Sequence, residues 1–216
     1  MDLEAARLAM IDSQVRVNDV TDRRLIAAMS AIPREVFVPA EKRSAAYADM
    51  AVETRPGRWM AAARDFSKLV GIAAIRPEDR VLDIAPGAGY SSAVLARLAA
   101  SVVALEEDEA VARRLREGLA AVGAAAVEVV AGPLKAGWPA SAPFDVILVN
   151  GAIEDVPTAW LSQLAEGGRL AVPVVENGVR RARLYTAAGG KTAWRTPFDT
   201  PYPPLPGFEK AVEFRL

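Results

Sequence analysis

The residues Val81-Leu82-Asp83-Ile84-Ala85-Pro86-Gly87-Ala88-Gly89-Tyr90 carry most of the structural information in this chain. An apolar run with one acid leads into a tight Gly-x-Gly turn, and residues 91–98 then have the composition of a helix. Glycine lets the backbone pass close to a ligand where a Cβ would collide, and a helix start offers unpaired N–H groups. The apolar run 102–105, which ends at Glu106, predicts a second buried strand. This order is typical of a β-α-β unit that binds a nucleoside-containing cofactor.

The kind of cofactor is indicated by the residues around the turn. The dinucleotide fingerprint needs a third glycine, whereas Gly87 and Gly89 are followed here by Ser92. Asp83 would repel a pyrophosphate but could support an amine-bearing ligand through the turn. Glu106 lies where an acid accepts hydrogen bonds from both ribose hydroxyls. These residues favour S-adenosylmethionine over NAD; the alternative is an ordinary strand-to-helix turn with Glu106 as a solvated strand-end acid.

Composition and charge exclude several classes of protein. The chain has 216 residues, 26 Lys and Arg against 27 Asp and Glu, and no basic stripe, so neither nucleic acid nor an anionic membrane is an expected partner. No apolar run approaches the roughly 18 residues that span a bilayer. The first residues include acids and lack a basic segment, so we expect a cytoplasmic protein without a signal peptide.

The chain contains no cysteine and, according to its composition, no histidine. Disulfides, cysteine nucleophiles, His-based triads and nearly every zinc site are thereby excluded, and no metal site is expected. An enzyme of this composition is expected to rely on an activated cofactor and on positioning. Methyl transfer from a sulfonium suits that restriction because the leaving group is already good.

The order of apolar segments predicts an α/β fold with a doubly wound, mostly parallel, Rossmann-like sheet. We expect one domain, 1–216, made of an N-terminal helical cap and connecting segment (1–75), a cofactor-binding core (76–175), and C-terminal antiparallel strands with a Pro-rich loop (176–216). Core strands are predicted at 80–84, 102–106, 126–130, 145–149 and 169–174, and core helices at 89–99, 108–121 and 157–165.

The flanking regions give weaker patterns. In the cap, a helix capped by Thr21-Asp22 is expected to end at Pro33, residues 38–58 look irregular, and 59–75 have helical periodicity. After the core, Arg180–Tyr185 and Ala211–Phe214 are predicted antiparallel strands. The Pro-rich stretch Pro197–Phe208 is expected to form a rigid loop that wraps the sheet edge rather than a polyproline ligand.

Ligands of open α/β sheets lie beyond the carboxyl ends of the strands. Four segments of the chain fall at such ends and should therefore converge on one crevice: Asp83 to Tyr90, Glu106, Ala131-Gly132-Pro133 and Asn150-Gly151. Tyr90 follows the glycine turn directly, so it is expected either to line this crevice or to pack on the sheet.

These motifs resemble the protein-L-isoaspartate O-methyltransferases, a family of class I methyltransferases. The similarity covers roughly residues 8–175. Its most specific part is Ile32-Pro33-Arg34-Glu35-Val36-Phe37-Val38-Pro39, preceded by Asp22–Met29 and followed by Ala46-Tyr47-Ala48-Asp49 and by Gly167-Gly168-x-Leu170-x-x-Pro173. The resemblance implies S-adenosylmethionine as cofactor and isoaspartyl carboxylates of damaged proteins or peptides as acceptors. The candidate cofactor-binding residues are Asp83, Ala85, Gly87, Gly89, Tyr90, Glu106 and Gly132; neither a catalytic residue nor an oligomeric state is predicted.

Two positions depart from the family pattern. The family has Thr-Ile-Ser-x-Pro before the first core strand, and its Ser is implicated in catalysis. Counting back from Val81 without a gap places that Thr on Trp59, the Ser on Ala61 and the Pro on Ala63. The family also has Gly-Asp-Gly, whose Asp reaches the adenine amine, and the corresponding stretch here is Gly132-Pro133-Leu134.

Because of these departures, three functions stay open at the level of sequence. The first is an active isoaspartyl carboxyl methyltransferase. The second is a methyltransferase with another acceptor, in which Trp59 and Arg64 reshape the acceptor side and Arg64 could hold a carboxylate. The third is a catalytically silent homologue that binds the cofactor or serves a structural role.

Overall fold

The N-terminal part of the chain forms two capped helices, as the spacing of its apolar residues predicts. The computed structural model describes residues 2–210, and the predicted strand Ala211–Phe214 lies outside the described residues. Helix α1 spans Leu3–Met10 and continues as a π turn and a short 3-10 turn to Asn18. Helix α2 spans Arg23–Ala31, and the Asp22 side chain accepts hydrogen bonds from the first-turn amides, which confirms the predicted cap.

A β-hairpin follows where an irregular segment was expected. Strands β1 (Val52–Arg55) and β2 (Arg58–Met60) pair in antiparallel fashion around a Pro56-Gly57 turn. The prediction of irregular structure for residues 38–58 was therefore wrong at the end of that segment. The prediction of a helix over 59–75 was also wrong at its start, because α3 spans only Ala63–Ala73. Strands of three or four residues are too short to establish a period of two, so their pairing is not visible in the sequence.

The core and the C-terminal part form one sheet with the expected alternation of strands and helices. Its elements are β3 (Arg80–Ile84), α4 (Tyr90–Leu95), β4 (Ser101–Glu106), α5 (Glu109–Ala121), β5 (Glu128–Ala131), β6 (Phe144–Val149), α6 (Thr158–Leu161), β7 (Leu164–Glu176), β8 (Val179–Ala188) and β9 (Lys191–Asp199). The strand order is β5-β4-β3-β6-β7-β8-β9, parallel from β5 to β7 and antiparallel from β7 to β9. The predicted fold class is confirmed.

Both faces of the sheet are buried, and successive residues of the central strands serve different sides. Val81 packs in the apolar cluster shared with the N-terminal helices, whereas Leu82 packs in the cluster around Trp160. Ile147 belongs with Leu82, and its neighbour Val146 belongs with Val81. Because successive side chains of a strand point to opposite faces, a strand that is buried on both faces needs apolar residues at every position. Continuous apolar runs such as these therefore indicate a sheet that is covered on both faces.

Several element ends differ from the sequence-based expectation. The α-helical part of the segment 89–99 ends at Leu95, and the helix predicted over 157–165 ends at Leu161. Strand β7 begins before the predicted Gly167-Gly168 turn, which lies in an irregular stretch of the β6–β7 pairing. Gly168 is required there because a Cβ would stand 2.8 Å from the Ala165 carbonyl oxygen.

The Pro-rich loop was predicted to wrap the sheet edge over Pro197–Phe208, but residues 197–199 belong to β9, and the rest of the loop pairs with the segment that follows β6. From β9 it returns to the segment after β6, where Ala152 N–H donates to the Pro203 carbonyl at 2.7 Å and Leu205 N–H donates to the Ala152 carbonyl at 2.8 Å. The loop thereby buries Tyr202 and Leu205 above the carboxyl ends of the central strands.

In the described part of the chain, no helix combines the length and apolar character that crossing a bilayer requires.

Candidate cofactor and methyl-transfer site

The predicted site residues meet at the carboxyl ends of β3 to β6. Ala85 N–H donates to the Leu105 carbonyl at 3.0 Å, which joins the glycine turn to the end of β4. Gly132 N–H donates to the Glu106 carbonyl at 2.8 Å, and Asn150 N–H donates to the Ile84 carbonyl at 3.0 Å. All four predicted segments therefore border one crevice, although their binding of a cofactor stays a prediction.

The turn after β3 uses left-handed backbone at three of its residues. Ala85, Gly87 and Gly89 have φ values of 58°, 62° and 108°. A side chain at Gly89 would also bring a Cβ to 2.6 Å from Leu115 Cδ1. Glycine is thus needed at this position for backbone conformation and for space, and it starts helix α4.

Asp83 lies beneath the turn and organises it. The carboxylate is fully buried and accepts hydrogen bonds from Ser91 Oγ at 2.7 Å, Ser92 Oγ at 2.6 Å and Asn150 Nδ2 at 2.6 Å. Burial raises the pKa of Asp83 to about 6, and the nearby Glu106 adds to the rise, although the three donors oppose it. Asp83 therefore contacts Ser91 and Ser92, which follow the turn, and Asn150, and its support of a ligand through the turn stays a prediction.

Glu106 is also fully buried, and its carboxylate is already engaged. Its Oε1 accepts from Gly87 N–H at 2.6 Å, and its Oε2 accepts from Arg58 Nη2 at 2.9 Å and from Glu107 N–H at 3.3 Å. Burial raises the pKa of Glu106, while Arg58 and the Gly87 amide counteract the rise. The alternative of a solvated strand-end acid is therefore wrong, because no part of this side chain reaches solvent.

Tyr90 both lines the crevice and packs. Its ring contacts Phe37 and Phe66 at centroid distances of 5.9 and 5.4 Å, and the Arg34 guanidinium lies 4.6 Å above it. Arg34 is fully buried, donating to the Ala46 carbonyl at 2.8 Å and to the Ala61 carbonyl at 2.7 Å. Within the described residues, the buried Tyr90 hydroxyl has no hydrogen-bond partner.

The crevice opens into a narrow cleft whose walls come from the hairpin, α3 and the glycine turn. Its lining residues are Phe37, Thr54, Trp59, Met60, Ala61, Phe66, Pro86, Ala88, Gly89, Tyr90, Ser91 and Asn150. Gly132 is not part of this lining. A Cβ added at Gly132 would lie 3.3 Å from Cζ3 of the Trp138 ring. The neighbouring residue, Pro133, is exposed.

Two arginines of the site were missed by the sequence analysis. Arg34 is part of the sequence Pro33-Arg34-Glu35, but nothing in that sequence indicates a buried cation. Arg58 pairs with an acid 48 positions along the chain, and no local spacing reveals such a contact. Both arginines belong to the cap, which shows that this part of the chain contributes to the site.

Nothing in the site resembles a metal centre. The described residues include no cluster of three or more acidic, histidine or cysteine side chains that could ligate an ion.

The fold and the site together define a class I S-adenosylmethionine-dependent methyltransferase. The defining features are a mostly parallel seven-stranded sheet, a glycine turn after its first core strand, and acids at the ends of β3 and β4.

Comparison with known proteins narrows this class. The family model "Protein-L-isoaspartate(D-aspartate) O-methyltransferase (PCMT)" matches residues 6–210. A protein-L-isoaspartate O-methyltransferase of Methylorubrum populi is 42% identical over 186 residues, which cover 86% of this chain and 87% of the relative. One from Methanoregula boonei is 42% identical over 168 residues, or 78% of this chain and 77% of the relative. The chain belongs to the protein-L-isoaspartate O-methyltransferase family.

Solved structures agree on the fold. A protein-L-isoaspartate O-methyltransferase superposes with a TM-score of 0.81 at 24% identity, covering 92% of this chain and 65% of that one. A Plasmodium falciparum structure of the same description, in complex with S-adenosyl-L-homocysteine, gives a TM-score of 0.81 at 17% identity and covers 92% and 97%. Family membership confirms the resemblance found in the sequence, and S-adenosylmethionine is the cofactor of this family.

Proposed function

We propose that this protein transfers the methyl group of S-adenosylmethionine to isoaspartyl carboxylates of proteins or peptides. The observation that carries the proposal is the extent of the family match, residues 6–210. A match confined to the glycine turn and the core strands would indicate only a methyltransferase of some kind. This match also includes the Pro-rich loop and the cap, whose hairpin lines the cleft.

The residues at the crevice fit the cofactor by their chemistry. The amide nitrogen of Asn150 is used by Asp83 and by the Ile84 carbonyl, so the amide oxygen is the acceptor left for a ligand ammonium group. The buried negative charge of Asp83 favours a cation nearby. Glu106 is the acceptor for ribose hydroxyls, and Gly87 and Gly89 leave the turn free of side chains. When bound, the cofactor supplies a methyl group on a sulfonium, which is a good leaving group.

The remaining task of the chain is to position the acceptor. An isoaspartyl carboxylate is ionised at neutral pH, so no base has to remove a proton before it attacks. Alignment within a closed site contributes several kcal/mol in favourable cases. Phe37, Phe66 and Tyr90 supply an apolar wall that excludes water. Arg34 holds the Ala61 carbonyl and thereby fixes the segment that faces the acceptor.

A second candidate, methyl transfer to a different acceptor, is favoured by one observation. Trp59 is 39% exposed and lines the cleft, and the ungapped count from Val81 assigns the family's Thr to this position. Arg64 is a weaker carboxylate receptor than the sequence suggested, because Asp65 lies 3.4 Å away and Asp49 lies 3.9 Å away. These two acids already compensate its charge.

A methyl-transfer assay distinguishes the candidates. Two peptides that differ only in isoaspartyl or aspartyl linkage are incubated with labelled cofactor, and base-labile methyl ester is counted. Transfer to the isoaspartyl peptide alone supports the proposal. Cofactor binding without transfer to either peptide would overturn it, and would leave another acceptor or the catalytically silent homologue.

The setting of the reaction also belongs to the proposal. Members of the family act on proteins, and a chain with a formal net charge of −1 offers little attraction to nucleic acid. We therefore expect protein or peptide acceptors in the cytoplasm. A filter-binding assay with RNA at low salt checks the exclusion of nucleic acid, and saturable binding there would contradict it.

A further inference from the structure

The hairpin is joined to the end of β4 by a cluster of two arginines and two acids. Arg58 Nη2 lies 2.9 Å from Glu106 Oε2 and 3.4 Å from Glu107 Oε1, and the arginine side chain is only 5% exposed. Arg55 lies 3.4 Å from Glu107 and 4.0 Å from Glu106, and it is 26% exposed. Arg58–Glu106 is therefore the inner, buried pair of the cluster.

This inner pair occupies the acceptor that a ribose would use. A carboxylate has about four acceptor positions, two on each oxygen. Both positions on Glu106 Oε2 are taken, by Arg58 and by Glu107 N–H, and Gly87 N–H takes one on Oε1. A ribose diol donates two hydrogen bonds to such an acid. The diol and the Arg58 guanidinium cannot both be satisfied by Glu106 in this arrangement.

Within the described residues, the buried Arg58–Glu106 pair leaves one guanidinium nitrogen without a hydrogen bond, which favours the exchange of Glu106 for another partner of Arg58. Arg58 Nη1 is buried and has no hydrogen-bond partner among residues 2–210. A buried donor without a partner costs free energy, and a buried ion pair repays its desolvation only when its remaining groups are bonded. Glu107, with 48% of its side chain exposed, offers Arg58 a second partner on the solvent side.

We propose that Arg58 is a latch on the ribose subsite, which holds Glu106 in the cofactor-free protein and moves to Glu107 and solvent when the cofactor binds. Arg58 is thus a residue that sets cofactor affinity rather than a catalytic residue. The apparent affinity is reduced by the fraction of molecules in the latched state. The inference rests on the proposed function only in requiring that this crevice binds the cofactor or its demethylated product.

Calorimetric titration with S-adenosylhomocysteine tests the latch. This ligand lacks the sulfonium charge, and its ammonium and carboxylate charges cancel, so removing a cation from the protein does not act through a net charge on the ligand. Arg58→Met keeps the apolar stem and removes the guanidinium, and Arg55→Met is the matched control on the same hairpin. The titrations are run at pH 8, because burial raises the pKa of Glu106 and the acid must stay ionised. We expect Arg58→Met to bind about threefold or more tightly than the wild type, and Arg55→Met to change less.

A second set of variants tests whether Arg58 acts through Glu106. Glu106→Gln should weaken binding, and adding Arg58→Met in that background should give no further gain. Equal tightening in both backgrounds would overturn the latch, because Arg58 would then act without its partner. Arg58→Gln serves in the same way if the Met variant does not fold, as judged by circular dichroism.

The possible outcomes separate the latch from the proposed function. Unchanged or weaker binding by a folded Arg58 variant overturns the latch, while the methyltransferase proposal stands. Binding by the Arg58 variant and not by the wild type supports the latch. Failure of both to bind overturns the latch and the proposed function together. Tighter binding without methyl transfer to an isoaspartyl peptide supports the latch and overturns only the proposal that the acceptor is an isoaspartyl carboxylate.

Discussion

Asp83 carries a cost of ionisation that depends on pH. Its pKa is raised from the ordinary 3.8 to about 6, mainly by burial, with Glu106 adding to the rise. Because the folded pKa is the higher one, the favourable contribution of this group is complete below pH 4 and is lost as the pH rises through 6. The difference corresponds to about 3 kcal/mol.

Comparison with Asp83→Asn measures this cost. Between pH 4 and pH 8, the wild type should lose about 3 kcal/mol of unfolding free energy relative to the variant. Titrating groups that do not interact with Asp83 cancel in the comparison, whereas the repulsion between Asp83 and Glu106 is part of the measured difference. Urea denaturation at a series of pH values checks the prediction, which a pH-independent difference between the two proteins would refute.

Ala61 is the position where a single hydroxyl is expected to raise activity. The residue lines the cleft, and it lies in the two-residue connection between β2 and α3 rather than in a helix. A serine there could orient the attacking carboxylate, and one hydrogen bond made mainly in the transition state is worth about tenfold in rate. We therefore expect Ala61→Ser to methylate an isoaspartyl peptide about tenfold faster.

Single-turnover kinetics on both proteins check this expectation. Ala62→Ser is the matched control, since Ala62 is adjacent but is not part of the cleft lining. An equal gain in the control would mean that the hydroxyl acts without specific orientation. If neither the wild type nor Ala61→Ser methylates the peptide while both bind the cofactor, the isoaspartyl acceptor is wrong.

The positions of single residues could be predicted from the sequence where the order of neighbouring elements along the chain determines them. Asp83, the glycine turn and Glu106 could be located because a strand must end before a turn begins. The state of those residues could not be predicted, since it depends on distant partners. Arg58 reaches Glu106 from the cap, and Asn150 reaches Asp83 across 67 positions. Such contacts are set by tertiary packing, which leaves no periodic signal.

At the scale of secondary-structure elements, Arg34 is expected to hold the cap together. Its Nε and Nη2 donate to the carbonyls of Ala46 and Ala61, so one guanidinium joins the segment before the hairpin to the segment after it. Lysine presents a single donor group and cannot reproduce this fork. We expect Arg34→Lys to lower the unfolding free energy by about 2 kcal/mol, because a hydrogen bond to a charged donor is lost.

Denaturant titration of Arg34→Lys beside Arg43→Lys checks this prediction. Arg43 is exposed, so its replacement should change the stability little. The methylation rate of Arg34→Lys should fall as well, because the Ala61 segment loses its support. Equal stability of the two variants would show that Arg34 does not join the segments.

Long apolar elements could be predicted, and short ones could not. Strands β3, β4 and β6 and helix α5 have enough residues to establish a period, and the structure moves their ends by at most one position. The hairpin was missed because Trp59 and Met60 are equally compatible with the start of a helix. The course of the Pro-rich loop depends on the backbone of Ala152, and its sequence contains no information about that partner.

At the scale of the whole molecule, Arg169 connects the core to the cap. From β7 it donates to the carbonyls of Ala73 and Ala74 at 3.0 Å each, and it pairs with Asp79 at 2.5 Å. Asp79 is nearly buried, so removing Arg169 would leave an uncompensated charge. Breaking a buried pair in this way costs about 3–5 kcal/mol. The hydrogen bonds from Arg169 to Ala73 and Ala74 couple the cap, proposed as residues 1–75, to the core, 76–175.

This coupling predicts that the chain of 216 residues unfolds as one domain. Trp59 lies in the cap and Trp160 in the core, so variants that keep only one of the chain's 4 tryptophans report on each part. In urea, both fluorescence signals should give the same midpoint, and Arg169→Met should lower both by the same amount. A cap midpoint below the core midpoint would contradict the single domain. If Arg169→Met separated two previously coincident midpoints, the hydrogen bonds from Arg169 to Ala73 and Ala74 would be the main connection between cap and core rather than one of many.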